Sequence, residues 1–231
     1  MMLDSAPASV AAVLQNMQSK LFPRLFIPVK DLLDDICQSL DALAKDLEKP
    51  KPHLSIEVDE LHLNRRGETL LRKIFIHILR NSMDHGLEKA TERRELGKQE
   101  QGEIFISFKE EDHMIVLHYH DDGRGLHINR IRESARIQGL AIDPESLTVQ
   151  ECADLIFHSG LSTAVKINDI SGRGVGMGAV KSYLQAEGGD IRIQLRDNVS
   201  TQVGHHSFYF VIKVPKSLFS RPLPPLIIDA A

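Results

Sequence analysis

The stretch GETLLRKIFIHILRNSMDHG, residues 67–86, decides how the rest of the chain is read. Leu70, Leu71, Ile74, Ile78 and Leu79 recur at helical spacing, so the segment is expected to form a long helix with one side in a core. Gly86 is a reasonable stop signal. His77, Asn81 and Asp84 stand at i, i+4 and i+7, which lines them along one polar face. Asn81 offers a neutral carbonyl oxygen and His77 a titratable nitrogen beside it. That pairing suits holding Mg²⁺ and orienting a proton transfer, because Mg²⁺ takes oxygen ligands and shares them with phosphates. A solvated polar face on an ordinary amphipathic helix would look the same, so the flanking sequence has to decide.

Downstream, 103–109 and 114–120 alternate apolar and polar residues around an acidic turn at 110–113 and read as a β-hairpin. Helical patterns follow at 127–138 and 149–157, then a Gly/Ser-rich span at 159–176, a helix at 177–187, and strands at 190–196 and 208–214. Upstream, 9–48 carries helical periodicity interrupted by Pro23 and Pro28, which favour a break between two helices. The second piece repeats Leu32, Leu33, Ile36, Leu40, Leu43 and Leu47 and demands a partner surface. Lys-Pro-Lys-Pro at 49–52 ends it and 53–58 reads as a short strand. The expected organisation is therefore an N-terminal helical segment over 1–50, a main domain over 51–217, and a Pro-rich linker or tail over 218–231. Helices segregated from a mostly antiparallel sheet give an α+β, two-layer class.

Two further stretches carry chemistry. Asp121-Asp-Gly-Arg-Gly125 stands where a strand ends. Gly123 and Gly125 let the backbone turn sharply and approach a flat ligand, and the Asp121 carboxylate can accept a hydrogen bond from an exocyclic amine. Adenine presents such an amine where guanine presents an oxygen, so Asp121 is the candidate adenine reader. Ser171-Gly-Arg-Gly-Val-Gly-Met177 lies directly before a predicted helix, where alternating glycines and the helix start suit anionic phosphates. It has no Gly-Lys-Ser/Thr ending, and no strand precedes it, so neither a Walker loop nor a Rossmann turn fits. The polar span before it is expected to act as a lid.

Composition removes other classes. Lys plus Arg number 28 against 32 for Asp plus Glu, a formal charge of −4, which leaves no basic footprint for nucleic acid. No stretch approaches a membrane span or a secretion signal, so the chain reads as cytoplasmic. Two cysteines, Cys37 and Cys152, make no disulfide framework, and His118, His120, His205 and His206 lack the spacing of a closed zinc site. His118 and His120 are expected on the exposed face of the hairpin.

Together these segments resemble the ATPase family shared by histidine kinases, gyrases, Hsp90-type chaperones and mismatch-repair proteins. Residues 77–86 are most similar to the asparagine box of the chemotaxis-kinase (CheA) branch, including its His-Gly ending. Glu92-Arg93-Arg94 with Gly97-Lys98, then Asp121 to Leu126, Ile156-Phe157, Ser162-Thr163-Ala164 and Asp169 to Met177 continue the pattern, which spans about Leu21 to Lys216. The resemblance implies a two-layer α/β sandwich of the Bergerat ATP-binding type. It implies Asn81 as Mg²⁺ ligand, Asp121 as adenine anchor with Gly123 and Gly125, and Gly172, Gly174 and Gly176 as triphosphate cradle with Val175 and Met177 beside them. His77 falls where related ATPases place a Glu that polarises the attacking group. Arg80, Asp84, His85, Ser162, Thr163 and Arg173 are implied as supporting phosphate, metal or lid contacts.

The implied reaction moves the γ-phosphoryl group of ATP to a histidine, and from there to a response regulator. The first histidine is His53, beside a predicted strand, so the acceptor is expected in trans. The helix at 29–48 resembles the end of the region through which such kinases dimerise. Three departures stand out. Gly178 replaces an Asp and is expected to loosen the helix start, Ser207-Phe208 replaces Gly-Thr before the Phe, and Ser159-Gly160-Leu161 replaces Pro-Gly-Phe. A degenerate nucleotide-binding module that regulates a partner is the competing expectation, and retention of Asn81, Asp121 and the three glycines weighs against it.

Overall fold

Alternation of apolar and polar residues builds the sheet. In the computed structural model, which describes residues 6–140, 143, 146–158, 176–196 and 204–222, the elements in chain order are these. They are α1 (Ala6–Leu25), β1 (Ile27–Pro28), α2 (Val29–Asp46), β2 (His53–Glu57), β3 (His62–Leu63), α3 (Arg65–Asn81), α4 (Ala90–Glu95), β4 (Glu103–Glu111) and β5 (Met114–Asp121). After them come β6 (Leu126–His127), α5 (Ile128–Ile137), α6 (Val149–Asp154), α7 (Met177–Ala186), β7 (Asp190–Leu195), β8 (His205–His206), β9 (Phe208–Pro215) and β10 (Phe219–Ser220). The main sheet has the order β2-β4-β5-β9-β7, with β2 parallel to β4 and every other pairing antiparallel. The expected hairpin is β4–β5, and its turn is closed by Asp112 at φ 47°.

One face of the sheet points into the core. Ile104, Ile106, Ile115, Leu117, Tyr119 and Ile212 are almost completely buried there and join a single apolar cluster with α2, α3 and α7. The alternate residues Phe105, Ser107, His118, His120 and Tyr209 line the open face, where the Phe105 and His120 rings stack at 4.5 Å. This is the α+β, two-layer arrangement, and it places His118 and His120 on the half-exposed face of the hairpin.

Helix α3 starts where the Asn64 side chain accepts a hydrogen bond from the Gly67 N–H at 2.9 Å. Gly67 is needed in that first turn, because a Cβ there would stand 2.6 Å from the Leu218 carbonyl oxygen. Leu71, Ile74, Phe75 and Leu79 are 0% exposed. Helix α7 lies antiparallel to α3. Arg66 pairs with Glu187 at 2.6 Å at one end, and Asn81 meets Met177 at the other.

The N-terminal helices depart from expectation in two respects. Pro23 lies inside α1, and the break falls later, at Phe26–Pro28, where Pro28 keeps Ile27 out of helical geometry and β1 pairs with β3. The stripe of α2 finds its partner surface within the chain, since Val29, Leu32, Leu33, Ile36 and Leu40 are buried in the same core as α3. Beyond residue 217, Phe219 is buried and β10 pairs with β3. Among the described residues no helix is long and apolar enough to cross a membrane.

Because Ile74 is completely buried in the core shared by α2, α3, α7 and the sheet, Ile74→Ala should lower unfolding free energy by about 2–5 kcal/mol in urea titration. A loss below about 1 kcal/mol would contradict this packing.

Candidate functional site

The site begins where α3 changes its winding. After Asn81 the chain makes a wider turn over Ser82–Gly86, closed by the Leu87 N–H to the Ser82 carbonyl at 2.7 Å, an i to i+5 bond. Such π-turns are rare and, where they interrupt α-helices, concentrate at functional positions. Lys49 supports this one from outside. Its ammonium donates to the carbonyls of Met83 at 2.6 Å, Leu87 at 2.7 Å and Asp84 at 3.4 Å. Burial is the main cause of its lowered pKa, and nearby Arg124 adds to it. The sequence reading saw Lys49 only as part of a helix stop.

Asp121 sits at the end of β5 facing that turn. Ser82 Oγ donates to Asp121 Oδ2 at 2.5 Å, and the Ser82 oxygen in turn lies 2.8 Å from the Tyr119 hydroxyl. With its proton committed to Asp121, Ser82 accepts the proton of Tyr119. The second carboxylate oxygen accepts from the Gly123 N–H at 3.0 Å. The residue keeps a partly exposed surface, yet its carboxyl oxygens are enclosed by protein. Desolvation therefore raises the Asp121 pKa, opposed by the bonds from Ser82 and Gly123. The surroundings of the oxygens, rather than the residue's average exposure, set what the carboxylate experiences. Burial, reinforced by Asp121, likewise pushes the Tyr119 phenol well above its usual range.

Two glycines here are required by close backbone approach. A Cβ on Gly123 would lie 2.3 Å from the Gly86 carbonyl oxygen, and one on Gly125, which has φ +78°, would lie 2.4 Å from that of His206. The Arg124 N–H donates to the Gly86 carbonyl at 3.0 Å, closing the strand-end loop onto the turn.

The third stretch arrives through α7. Asn81 Nδ2 donates to Met177 Sδ at 3.1 Å, a contact that uses the amide's N–H and not its carbonyl oxygen. Gly176 caps α7 in an extended conformation, and a Cβ added to it would meet nothing within 4 Å. Helix α7 begins at Met177 despite Gly178, with the Ala179 N–H bonded to the Gly176 carbonyl at 3.0 Å. His77 is half-buried, with its ring 6.4 Å from that of Tyr183 on α7. Its pKa is lowered by burial first and by Arg80 second. Arg80 pairs with Asp84 at 3.2 Å, and His85 is exposed. Ser162, Thr163, Gly172, Arg173, Gly174, Val175 and the expected lid lie outside the described residues.

The arrangement thus brings a metal-competent amide, a buried carboxylate and a helix N-terminus to one place. The groups are of the kinds an adenine nucleotide needs, since Asp121 can accept from an amine and the start of a helix such as α7 can take an anion. Among the described residues no group of three His, Cys, Asp or Glu could hold a metal alone. A cation here would draw on Asn81 and on phosphate oxygens, as Mg²⁺ usually does. Sequence reasoning missed Ser82 and Tyr119, although each had a positional signal. Ser82 follows Asn81 directly, and Tyr119 precedes Asp121 by two residues, on the same side of the strand.

The chain also has recognisable relatives among known proteins. Residues 67–217 match the family described as histidine kinase-, DNA gyrase B-, and HSP90-like ATPase, HATPase_c. The sensor histidine kinase CheAY of Helicobacter pylori is 34% identical over 201 residues, covering 86% of this chain and 25% of that protein. The chemotaxis protein CheA of Salmonella typhimurium is 37% identical over 182 residues, covering 79% of this chain and 25% of that protein. The chain therefore spans about a quarter of the length of these relatives. Among solved structures, the catalytic domain of histidine kinase ThkA aligns with 83% of this chain and 94% of its own at TM-score 0.49 and 15% identity.

The enclosed carboxylate makes a pH-dependent prediction. A raised native pKa means that folding disfavours ionised Asp121, so wild-type stability is lost as pH rises through that value. Asp121→Asn escapes this loss, because an amide can donate to Ser82 Oγ and still accept from Gly123. Thermal melts should show the variant at least as stable as wild type near pH 8, with the advantage shrinking toward pH 4, where Asp121 is protonated in the folded state and about half protonated in the unfolded one. A variant penalised near pH 8 but not near pH 4 would contradict the assignment.

Proposed function

The chain belongs to the family of histidine kinase-, DNA gyrase B-, and HSP90-like ATPases, and from that premise we propose that it binds Mg²⁺-ATP between Asn81, Asp121 and Gly176 and passes the γ-phosphoryl group to a histidine on another domain or protein. The observation that carries this reading is the meeting of three remote stretches. Ser82 bonds to Asp121 and Asn81 bonds to Met177, so the end of α3 touches both the end of β5 and the start of α7.

In this reading each residue has a separate task. Asp121 accepts the exocyclic amine of adenine, and its fixed hydrogen bonds from Ser82 and Gly123 leave it little freedom to accommodate guanine. Gly123 and Gly125 bring backbone close to the base. Asn81 lends its carbonyl oxygen to Mg²⁺, which when bound neutralises charge on the phosphates. The N–H groups at Gly176 and Met177 face the phosphates from the start of α7, with Gly172, Gly174, Arg173 and Val175 continuing that cradle. His77, whose pKa burial lowers, accepts a hydrogen bond from the attacking group and orients it. Arg80, Asp84, His85, Ser162 and Thr163 support phosphate, metal or lid.

The similarity to CheA proteins supports placing the reaction in cytoplasmic two-component signalling, with a phosphoacceptor histidine domain in trans and a response regulator downstream. Self-association through the N-terminal helices would use α1. Its Val13, Met17, Leu21 and Leu25 are exposed at four-residue intervals, whereas the stripe of α2 is buried.

Calorimetry of Mg²⁺-ATP binding tests the site. Asn81→Ala and Asp121→Ala should each remove at least ~1.5 kcal/mol, roughly tenfold in affinity. Unchanged binding by both variants would overturn it. Transfer of labelled γ-phosphate to histidine phosphotransfer domains tests the reaction. Because burial lowers the His77 pKa from its ordinary value of 6.5, transfer should persist at pH 6.5, while His77→Gln should retain ATP binding and lose transfer rate. A rate limb centred above that pH in wild type, or an undiminished rate in the variant, would exclude His77 from the role.

A further inference from the structure

Beside the strand-end loop lies a set of charges that the proposed chemistry does not use. Helix α4 ends at Glu95, and Gly97 at φ +72° turns the chain back, with the Gly97 N–H on the Arg94 carbonyl at 3.0 Å and the Lys98 N–H on the Arg93 carbonyl at 2.9 Å. That turn delivers Lys98 beneath residues 122 and 123. Its three ammonium donors meet Glu88 Oε1 at 2.9 Å, the Asp122 carbonyl at 2.8 Å and the Gly123 carbonyl at 3.1 Å.

Arg93 is equally committed. Nε donates to the Gln99 carbonyl at 2.6 Å. Nη1 reaches Glu88 Oε2 and Asp122 Oδ1, both at 3.1 Å, and Nη2 reaches Asp122 Oδ2 at 2.5 Å and the Gln101 carbonyl at 3.4 Å. These contacts use all of a guanidinium's five N–H donors. The side chains of Arg93 and Glu88 are 1% and 0% exposed, and that of Lys98 15%. Two cations and two carboxylates cancel, which permits burial of charges that would otherwise be costly. Asp122 further accepts from the Glu103 N–H at 2.8 Å, tying the cluster to the start of β4.

A buried ion cluster contributes little stability over a well-packed apolar one, but it fixes geometry by satisfying each donor in one arrangement. Here that geometry is the loop carrying Gly123, whose N–H holds Asp121 Oδ1. We propose that Lys98 and Arg93 are positioning residues for the base-reading carboxylate. They clamp the backbone of Asp122 and Gly123 from below so that Asp121 stays aligned toward an adenine and against a guanine. The proposal rests on the nucleotide-site reading for its ligand, while the clamp itself is a property of the free protein.

The test compares wild type with Lys98→Met, which removes the donors at similar length, and with Glu88→Gln/Lys98→Met, which also removes the carboxylate left half-paired. Two quantities are read: the ratio of ATP to GTP affinity, and hydrogen exchange at the Gly123 and Arg124 amides. Both variants should narrow the ATP-to-GTP ratio by at least about fivefold and speed exchange at those amides by about tenfold. The double variant should recover the thermal midpoint that the single variant loses. A double variant that recovers both stability and wild-type nucleotide preference would show the cluster to be merely structural and overturn the proposal. So would a folded Lys98→Met protein unchanged in both readouts. If wild type binds neither nucleotide, the nucleotide-site reading fails by itself, and unchanged exchange in the variants would separately refute the clamp.

Discussion

The hydrogen bond from Ser82 Oγ to Asp121 Oδ2, 2.5 Å long, joins the end of α3 to the end of β5 and sets conditions for everything around it. A carboxylate enclosed by protein needs donors on each oxygen, or it protonates. Ser82 supplies one and Gly123 the other, so the turn after Asn81 and the loop after Asp121 must be held against each other. Glycine at 123 follows from that proximity, because the Gly86 carbonyl occupies the space where its Cβ would stand. A π-turn is tolerated in that place because Lys49 satisfies the carbonyls it leaves outward.

Charge is distributed with the same economy. The carboxylate that faces the site has only neutral donors touching it, whereas its neighbour Asp122 is neutralised by Arg93 on the far side of the loop. Asp121 is thereby left as a hydrogen-bond acceptor without a cation competing for it. The sheet contributes rigidity rather than chemistry. Its core face anchors α3 and α7, and those antiparallel helices bring Asn81 to the start of α7.

Much of this was legible in the sequence where a period or a local preference carried the signal. Alternation in 103–120 gave the β4–β5 hairpin, and the helical spacing of His77, Asn81 and Asp84 separated the polar face of α3 from Leu71, Ile74 and Ile78. Asp121 was readable because two glycines follow a strand end. What escaped depends on contacts between distant positions. Lys49 reaches carbonyls 34 to 38 residues away, and nothing in its own neighbourhood announces that. Arg93 enters the sequence analysis only within the Glu92-Arg93-Arg94 resemblance, and four partners from three segments account for an enclosure that arginines seldom show. Pro28 rather than Pro23 breaks the N-terminal helices because β3 is there to pair with the extended residues. The roles given to residues 159–175 concern positions outside the described part of the structure.

The central claim is that the ends of α3 and β5 and the start of α7 form one nucleotide site. Hydrogen–deuterium exchange with a non-hydrolysable ATP analogue and Mg²⁺ tests it most directly. The account predicts that amides in 81–87, 121–125 and 176–180 are protected together, with one shared midpoint in analogue concentration. Protection of only one of these segments, or three separate midpoints, would contradict it.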